Sequence, residues 1–330
     1  MKFPIQSHSL LIRCCLAAVL FLAGTYATVA QIKKAESDSP IQYGATQVTR
    51  YQVGMRAEAK RSSAHNILAI VAVPFSCDEQ EVELVEEDVT KQVGSIDYRT
   101  LRNKGARQML VRIPLLERGD KAHALLTFEV RTRVILPPEE TSNLRIPKRP
   151  PRNLKVYMGK SPYITVNHRE FKKVLKEIFA DVDKEATDWE RVEAIYDYVQ
   201  DSIEYLEGPD KSALETLRDG QGDCQNISAL FVALCRTQKI PARLVWVHEH
   251  SYAEFCLEDE EGNAFWFPIE SSGTRAFGEM PMTRTILQKG DSFKLPEQPS
   301  KLRRYASDFA TAQALPGGSK PRIKFVREQL

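Results

Sequence analysis

One stretch of the sequence places a cysteine at the start of a helix and a histidine about one hairpin later. Cys224 follows Gly222 and Asp223, and apolar side chains recur after it at three- and four-residue spacing until Pro241 ends the run. These side chains are Ile227, Leu230, Phe231, Leu234 and Cys235. The pattern predicts a helix followed by strands. It is also the arrangement that a thiol nucleophile and its base require.

Cys224 falls in the first turn of the predicted helix. Free backbone N–H groups and the positive end of the helix dipole stabilise an anion there, so this thiol should lose its proton more readily than a free one. The same N–H groups are suited to hold the oxyanion of a tetrahedral intermediate. The alternative is that Cys224 is a small buried apolar residue, as free cysteines often are. Its polar neighbours disfavour that interpretation, whereas Cys235 lies on the apolar stripe and is expected in the core.

A hairpin follows the helix. Arg243 to Val247 resembles a buried strand, and the next strand alternates from His250 to Leu257. Residues 259 to 263 form a turn, and the chain returns over Ala264 to Glu270. One face of the middle strand carries Ser251, Ala253, Phe255 and Leu257, and the other carries His250, Tyr252, Glu254 and Cys256.

A hairpin centred near residue 260 sets His250 opposite Glu270, to within about two residues. A carboxylate there would orient the imidazole, which gives a candidate triad of Cys224, His250 and Glu270. The alternatives are a solvated strand histidine and an ordinary surface glutamate. His248 is a second candidate base, and Glu254 is a second candidate for the orienting carboxylate.

These residues resemble the core domain of the transglutaminase-like superfamily, which has a papain-like arrangement of cysteine, histidine and acid, from about Ala186 to Gly278. The matching motifs are Gly222-Asp223-Cys224, the spacing from Leu230 to Arg236, Ile240-Pro241-Ala242-Arg243, His250-Ser251-Tyr252-Ala253-Glu254 and Trp266-Phe267-Pro268-Ile269-Glu270. The last motif departs from the family pattern because it ends in glutamate instead of aspartate.

The resemblance implies a role for each member of the triad. Cys224 would be the nucleophile, His250 the general base and acid, and Glu270 the orienting group. The expected chemistry is attack on a peptide or carboxamide carbonyl to give a thioester. Water would resolve that thioester in a protease or amidase, and an amine would resolve it in an acyltransferase. A catalytically inactive binding or scaffold protein is the alternative, and the departure at Glu270 favours it.

The rest of the catalytic region predicts three earlier helices. Thr187 and Glu190 form a capping-box pattern before an apolar stripe, and Ser212 and Glu215 form another before a helix that ends at Gly220. A further helix is predicted to start at Asn167. Because helices precede the cysteine helix and strands follow it, the fold class is α+β.

Residues 1 to 30 resemble a secretory signal peptide. Lys2 and Arg13 precede an apolar run, and small residues end the segment. The run is shorter than the roughly 20 residues of a spanning helix. We therefore expect export to the periplasm or the extracellular space, with an N-terminal membrane anchor as the alternative.

Charge and cysteine content restrict the partners. Removing the signal leaves 44 basic residues (46 minus Lys2 and Arg13) and 44 acidic residues. Nothing in that balance indicates a nucleic acid or an anionic or integral membrane partner, so the expected partner is a protein or peptide substrate. No Cys or His pair has zinc spacing and no phosphate loop is present, so no cofactor or metal is expected. Removal of the signal also removes Cys14 and Cys15, so with Cys224 free the three cysteines that remain allow at most one disulfide.

The sequence outside the catalytic region divides into three parts. Residues 41 to 136 contain six strand-like segments and predict a β-sandwich domain. Residues 137 to 160 are rich in proline and arginine and predict an extended linker; its Arg145, Lys148, Arg149 and Arg152 are an alternative basic docking surface. The catalytic domain is expected over residues 161 to 290. A polar tail covers residues 291 to 330, within which Ile323 to Val326 resemble an edge strand.

Overall fold

The structure is a computed structural model that describes residues 39–101, 104–314 and 316–330. The predicted signal peptide at residues 1 to 30 lies outside the described residues. Residues 41 to 330 form one compact unit. The boundary between a β domain and a catalytic domain therefore stays a prediction.

The first part of the chain forms six strands, in agreement with the sequence pattern. They are β1 (Gln42–Glu58), β2 (Ala64–Val73), β3 (Gln80–Val89), β4 (Ser95–Thr100), β5 (Arg107–Leu116) and β6 (Lys121–Leu136). They contribute to two four-stranded antiparallel sheets. Apolar side chains of both sheets share one buried cluster, with Met55 and Phe128 from one sheet and Ile67 and Val111 from the other. This is the packing of a β-sandwich.

The C-terminal tail completes both sheets. Strand β16 (Phe309–Ala314) pairs with β2, and β17 (Arg322–Gln329) pairs with β1, so the sheet orders are β17-β1-β6-β3 and β16-β2-β5-β4. The edge strand predicted at Ile323 to Val326 lies within β17. Gly54 is required between β17 and β6, because a Cβ atom there would collide with the Ala124 carbonyl oxygen.

The helices lie in the second part of the chain. They are α1 (Arg152–Lys155), α2 (Arg169–Ile178), α3 (Asp188–Ser202), α4 (Ala213–Asp219) and α5 (Cys224–Thr237). Both predicted capping boxes are present at the starts of α3 and α4. The start predicted at Asn167 is wrong, because Asn167 adopts a left-handed backbone with φ 62° and His168 caps α2 instead.

Nine further strands lie in the second part of the described chain, and five of them form one sheet. They are β7 (Glu204–Tyr205), β8 (Gln221–Gly222), β9 (Ala242–Val247), β10 (His250–Glu258), β11 (Ala264–Glu270), β12 (Ala276–Phe277), β13 (Ile286–Lys289), β14 (Phe293–Lys294) and β15 (Leu302–Arg303). The sheet has the order β12-β11-β10-β9-β13 and is antiparallel. Helix α5 packs on it, with Phe231 of the helix against Phe255 of β10. Helices before α5 and strands after it give the predicted α+β order.

The segment from 137 to 160 packs against the helical part of the protein. Leu144 is fully buried in the same apolar cluster as α3 and α5. Arg145 exchanges two backbone hydrogen bonds of 2.8 Å with Glu258. The side chains of Lys148, Arg149 and Arg152 are exposed. The segment is therefore ordered by its apolar residues, while its basic residues face solvent.

A buried ionic cluster joins the sandwich to the five-stranded sheet. We define it as Glu79, Arg243, Glu254 and Lys289. The Nζ of Lys289 donates to Glu254 Oε1 at 2.9 Å and also contacts Glu79, which precedes β3. Arg243 donates to Glu254 Oε2 at 2.6 Å. The four side chains are between 2% and 12% exposed.

The side chain of a glutamine adds two hydrogen bonds to the backbone at this junction. Gln80 donates from Nε2 to the Ile286 carbonyl at 3.0 Å and accepts from the Ile286 N–H at 2.7 Å. The sandwich and the strands that carry the candidate site are thus held by paired polar groups as well as apolar contacts. In the part of the chain described, no helix is long and apolar enough to cross a membrane.

Candidate active site

Cys224 is the first residue of α5. Its neighbour Asp223 is the N-cap and accepts a 2.9 Å hydrogen bond from the Asn226 N–H. A Cβ atom at Gly222 would lie 2.8 Å from Asn226 Cβ, so the chain needs glycine to enter the helix at this angle. The thiol is thereby placed at the positive end of the helix dipole, as the sequence predicts.

His250 and Glu270 form a hydrogen-bonded pair. His250 begins β10, Glu270 ends β11, and His250 Nε2 lies 2.8 Å from Glu270 Oε2. The two strands pair Ala253 with Ile269, within the two residues allowed by the predicted register. The other carboxylate oxygen, Oε1, accepts from the Ser272 N–H at 3.1 Å. Both oxygens of Glu270 are therefore held, although glutamate is one methylene longer than aspartate.

The thiol of Cys224 meets His250 and Ser251. Burial by itself would raise the pKa of Cys224, but hydrogen bonds from the His250 and Ser251 side chains outweigh it and hold the pKa below its usual range. Ser251 Oγ donates to Cys224 Sγ at 3.6 Å. With Nε2 occupied by Glu270, the nitrogen of His250 that remains for the thiol is Nδ1.

The charge on His250 is stabilised from both sides. Burial lowers the pKa of the imidazole, but its hydrogen bonds to Cys224 and Glu270 outweigh that effect and raise it to about 9. The thiol and imidazole pKa values therefore move toward each other. Both shifts favour the pair in which a Cys224 thiolate lies beside a His250 imidazolium, which is the reactive form of a cysteine nucleophile.

The other cysteines lie in environments that disfavour a thiolate. Burial raises the pKa of Cys77 and of Cys256 to about 12, and it raises that of Cys235 as well. None of these cysteines is in a disulfide. Among the four cysteines that the structure describes, only Cys224 has a lowered pKa.

The second candidates for base and acid point elsewhere. Nδ1 of His248 lies 3.2 Å from the Tyr51 hydroxyl, at the sandwich. Glu254 belongs to the ionic cluster, where its carboxylate is paired with Arg243 and Lys289. The structure therefore brings together Cys224, His250 and Glu270, and it separates His248 and Glu254 from them.

Two features of this region were missed in the sequence. Ser251 shares its predicted strand face with Ala253, Phe255 and Leu257, and the structure packs these three side chains in one cluster with residues of α5. The alternation along β10 was therefore the available signal for the contact of Ser251 with Cys224. Glu79 carries no signal, because it comes from a distant segment of the chain. Within residues 39–101, 104–314 and 316–330, no group of three or more His, Cys, Asp or Glu side chains is arranged to hold a metal.

Comparisons with known proteins agree with this geometry at the level of the family. Residues 173–271 match the family model described as the transglutaminase-like superfamily, and the match contains Cys224, His250 and Glu270. The resemblance predicted from the sequence motifs is confirmed. A search of curated proteins gave no match.

The solved structures that match this chain include the following two. One is a candidate cysteine protease from Cytophaga hutchinsonii, with 14% identity and a TM-score of 0.49, and the match covers 88% of this chain and 93% of that one. The other is a candidate protease from Parabacteroides distasonis ATCC 8503, with 12% identity and a TM-score of 0.26. That match covers 74% of this chain and 72% of the other.

Proposed function

We propose that this chain, which contains a transglutaminase-like domain at residues 173–271, is an exported thiol enzyme that acts on peptide or carboxamide bonds through a thioester on Cys224. The observation that carries the proposal is the placement of the Cys224 thiol at the start of a helix, where the strand that it contacts through Ser251 also carries the hydrogen-bonded pair of His250 and Glu270. Its expected partner is a protein or peptide substrate.

Formation of the thioester uses each group in turn. The Cys224 thiolate attacks the carbonyl carbon, the S–C bond forms, and the π electrons move to the oxygen. The N–H groups of Asn226 and Ile227 already donate hydrogen bonds to Asp223, so they are not free to bind an oxyanion. We therefore assign the developing oxyanion to the backbone N–H of Cys224 itself, at the positive end of the helix dipole. Collapse then breaks the C–N bond, and the imidazolium of His250 donates its proton to the leaving nitrogen.

Resolution of the thioester reverses these roles. Neutral His250 takes a proton from water or from an amine as that nucleophile attacks the thioester carbon. The C–S bond breaks and the sulfur leaves as the thiolate, which restores the ion pair. Glu270 holds the imidazole in one tautomer throughout. Water as the acceptor gives a protease or amidase, and an amine gives a protein-glutamine acyltransferase.

Native-state labelling with iodoacetamide tests the assignment of the nucleophile. Mass-spectrometric mapping should find Cys224 modified before Cys77, Cys235 or Cys256, because only its thiol pKa is lowered. Cys224→Ser should abolish the fast reaction, whereas Cys77→Ser, at a half-buried cysteine, should leave it unchanged. Faster labelling of Cys77 or Cys256 would overturn the assignment.

A second experiment separates the two enzyme classes from a scaffold. An activated aryl ester should acylate Cys224 at about one equivalent, and the acyl-enzyme should then be offered water alone or water with a fluorescent primary amine. Release of free acid at a rate independent of the amine indicates a hydrolase, and amide formation indicates an acyltransferase. A fast-labelling Cys224 that forms no acyl-enzyme would instead support a binding or scaffold protein.

A further inference from the structure

We infer that Ser251 is a further catalytic residue, whose hydroxyl is the built-in hydrogen-bond donor to the Cys224 sulfur whenever that sulfur carries the negative charge. The inference rests on the proposed function, because it assigns a role at the same nucleophile. Ser251 is distinct from the triad of Cys224, His250 and Glu270, since its hydroxyl contacts the reacting atom directly.

Ser251 is held where its hydroxyl meets the sulfur. The residue is fully buried at 0% exposure, and its Oγ lies 3.6 Å from Cys224 Sγ. Ser251 pairs across the sheet with Trp246, whose indole N–H donates to the Gly290 carbonyl at 3.2 Å. Strand β10 is thus paired with β9 at Ser251, and from Ala253 onward it is paired with β11 on its other side.

The chemistry of a buried hydroxyl explains the choice of acceptor. A serine hydroxyl in the interior needs a partner, and Cys224 Sγ is the acceptor that the structure provides. A thiol sulfur accepts weakly, but a thiolate accepts a charge-assisted and much stronger bond. The contact therefore favours the anion over the neutral thiol. It acts in addition to the His250 imidazolium.

This role has two opposite consequences for the reaction. Stabilising the thiolate enlarges the fraction of enzyme that is ready to attack, but it makes each thiolate a weaker nucleophile. In the second half-reaction the C–S bond breaks and its electron pair returns to sulfur, and the Ser251 hydroxyl again donates to it. A more stable thiolate leaves faster. Ser251 should therefore assist deacylation.

Ser228 offers a matched control in the same helix. It lies one turn after Cys224, is fully buried, and its hydroxyl is 2.6 Å from the Ser271 hydroxyl. Ser228→Ala removes one buried hydroxyl and one hydrogen bond, as Ser251→Ala does, but the lost bond does not reach the sulfur.

The test measures the rate of Cys224 alkylation by iodoacetamide as a function of pH. Ser251→Ala should move the midpoint of the profile to higher pH by about one unit, because a hydrogen bond to a charged group is lost. In the rising part the reaction should slow about threefold, because a roughly tenfold smaller thiolate fraction is partly offset by the greater nucleophilicity of each thiolate. Two further variants, Ser251→Thr and Ser251→Val, introduce side chains of nearly the same shape, and only threonine carries a hydroxyl. The threonine variant should keep the low midpoint and the valine variant should lose it, even if both are less stable.

The outcomes distinguish this inference from the proposed function. Wild-type protein without preferential Cys224 labelling would refute the thiol mechanism and the inference together. Preferential labelling in the wild type, with the same midpoint in the alanine, threonine and valine variants, would refute the role of Ser251 alone. A shift of equal size in Ser228→Ala would also refute it, since any loss of packing near the helix start would then suffice.

Discussion

Replacing Glu254 with glutamine should destabilise the protein and leave the reactive thiol intact. The Glu254 side chain is 2% exposed and holds two cations, Arg243 at 2.6 Å and Lys289 at 2.9 Å. In Glu254→Gln the side-chain amide keeps one acceptor for Arg243, but its NH2 group is directed at the Lys289 ammonium, which is also a donor. The variant therefore leaves a buried ammonium paired only with Glu79.

The magnitude follows from the burial of the pair. Each contact is worth about 6 kcal/mol in gross attraction at an effective dielectric constant of about 20, but desolvation of the charges cancels much of it. Removal of one partner from a buried pair costs about 3 to 5 kcal/mol, since the other charge stays buried. A loss of about 3 kcal/mol should lower the melting temperature by roughly 6 °C.

The pH dependence gives a second signature. Burial would raise the pKa of Glu254, but Arg243 and Lys289 outweigh it and lower the pKa. A lowered carboxyl pKa contributes stability above the unfolded value of about 4.3, and that contribution is lost as the pH falls through the folded value. The stability gap between wild type and Glu254→Gln should therefore narrow in acid.

Urea unfolding followed by tryptophan fluorescence measures the loss in free energy of unfolding. The rate of iodoacetamide labelling measures the reactivity of the Cys224 thiol. Glu260→Gln, in the exposed turn of the same hairpin, is the control and should change stability by less than about 0.5 kcal/mol. A loss below about 1 kcal/mol for Glu254→Gln would show that the ionic cluster is not desolvated. Slower thiol labelling at unchanged stability would show instead that Glu254, and not Glu270, acts on the histidine.

Three further predictions address the site and the architecture. Glu270→Gln should lower turnover of an amide substrate about tenfold or more without changing the circular dichroism spectrum, while Glu270→Asp should keep most activity; equal turnover in all three forms would remove the orienting role. Because the pKa of His250 is about 9, amide turnover should fall above pH 9 as the imidazolium is lost, whereas the rate of thiol alkylation should not fall. A parallel decline of both rates would contradict the pairing of a Cys224 thiolate with a His250 imidazolium. Deleting residues 41 to 136 exposes Ile286 and its apolar neighbours, so the truncated protein should aggregate in light scattering; a monomer with full thiol reactivity would show that the catalytic part folds alone.

Local patterns in the sequence determined much of the part of the chain that carries the candidate site. Capping boxes at Thr187 and Ser212, the cysteine at a helix start and the hairpin that brings His250 near Glu270 all depend on residues close together in the chain. Such patterns act through neighbouring side chains and backbone groups, so spacing alone reveals them. The failure at Asn167 is also local, since a left-handed backbone there moves the helix start to His168.

Only the tertiary structure decided which of several similar residues serve the site. Glu254 and Glu270 are both acids near His250 in the sequence, but long-range pairing with Lys289 removes Glu254 from consideration. In the same way, Tyr51 from the sandwich contacts His248. Their partners lie far away in the chain, and no periodicity of a single segment encodes which distant groups will meet.

The tail shows the same limit at the scale of the fold. The apolar residues of β17 predicted an edge strand, but the sequence did not indicate that β17 pairs with β1, or that β16 joins the other sheet beside β2. Strand propensity depends on the local sequence, whereas the choice of partner depends on which edges remain open after the other strands have paired. The sequence therefore determined the position of Cys224 at the start of a helix, and the assembled sheets decided what surrounds it.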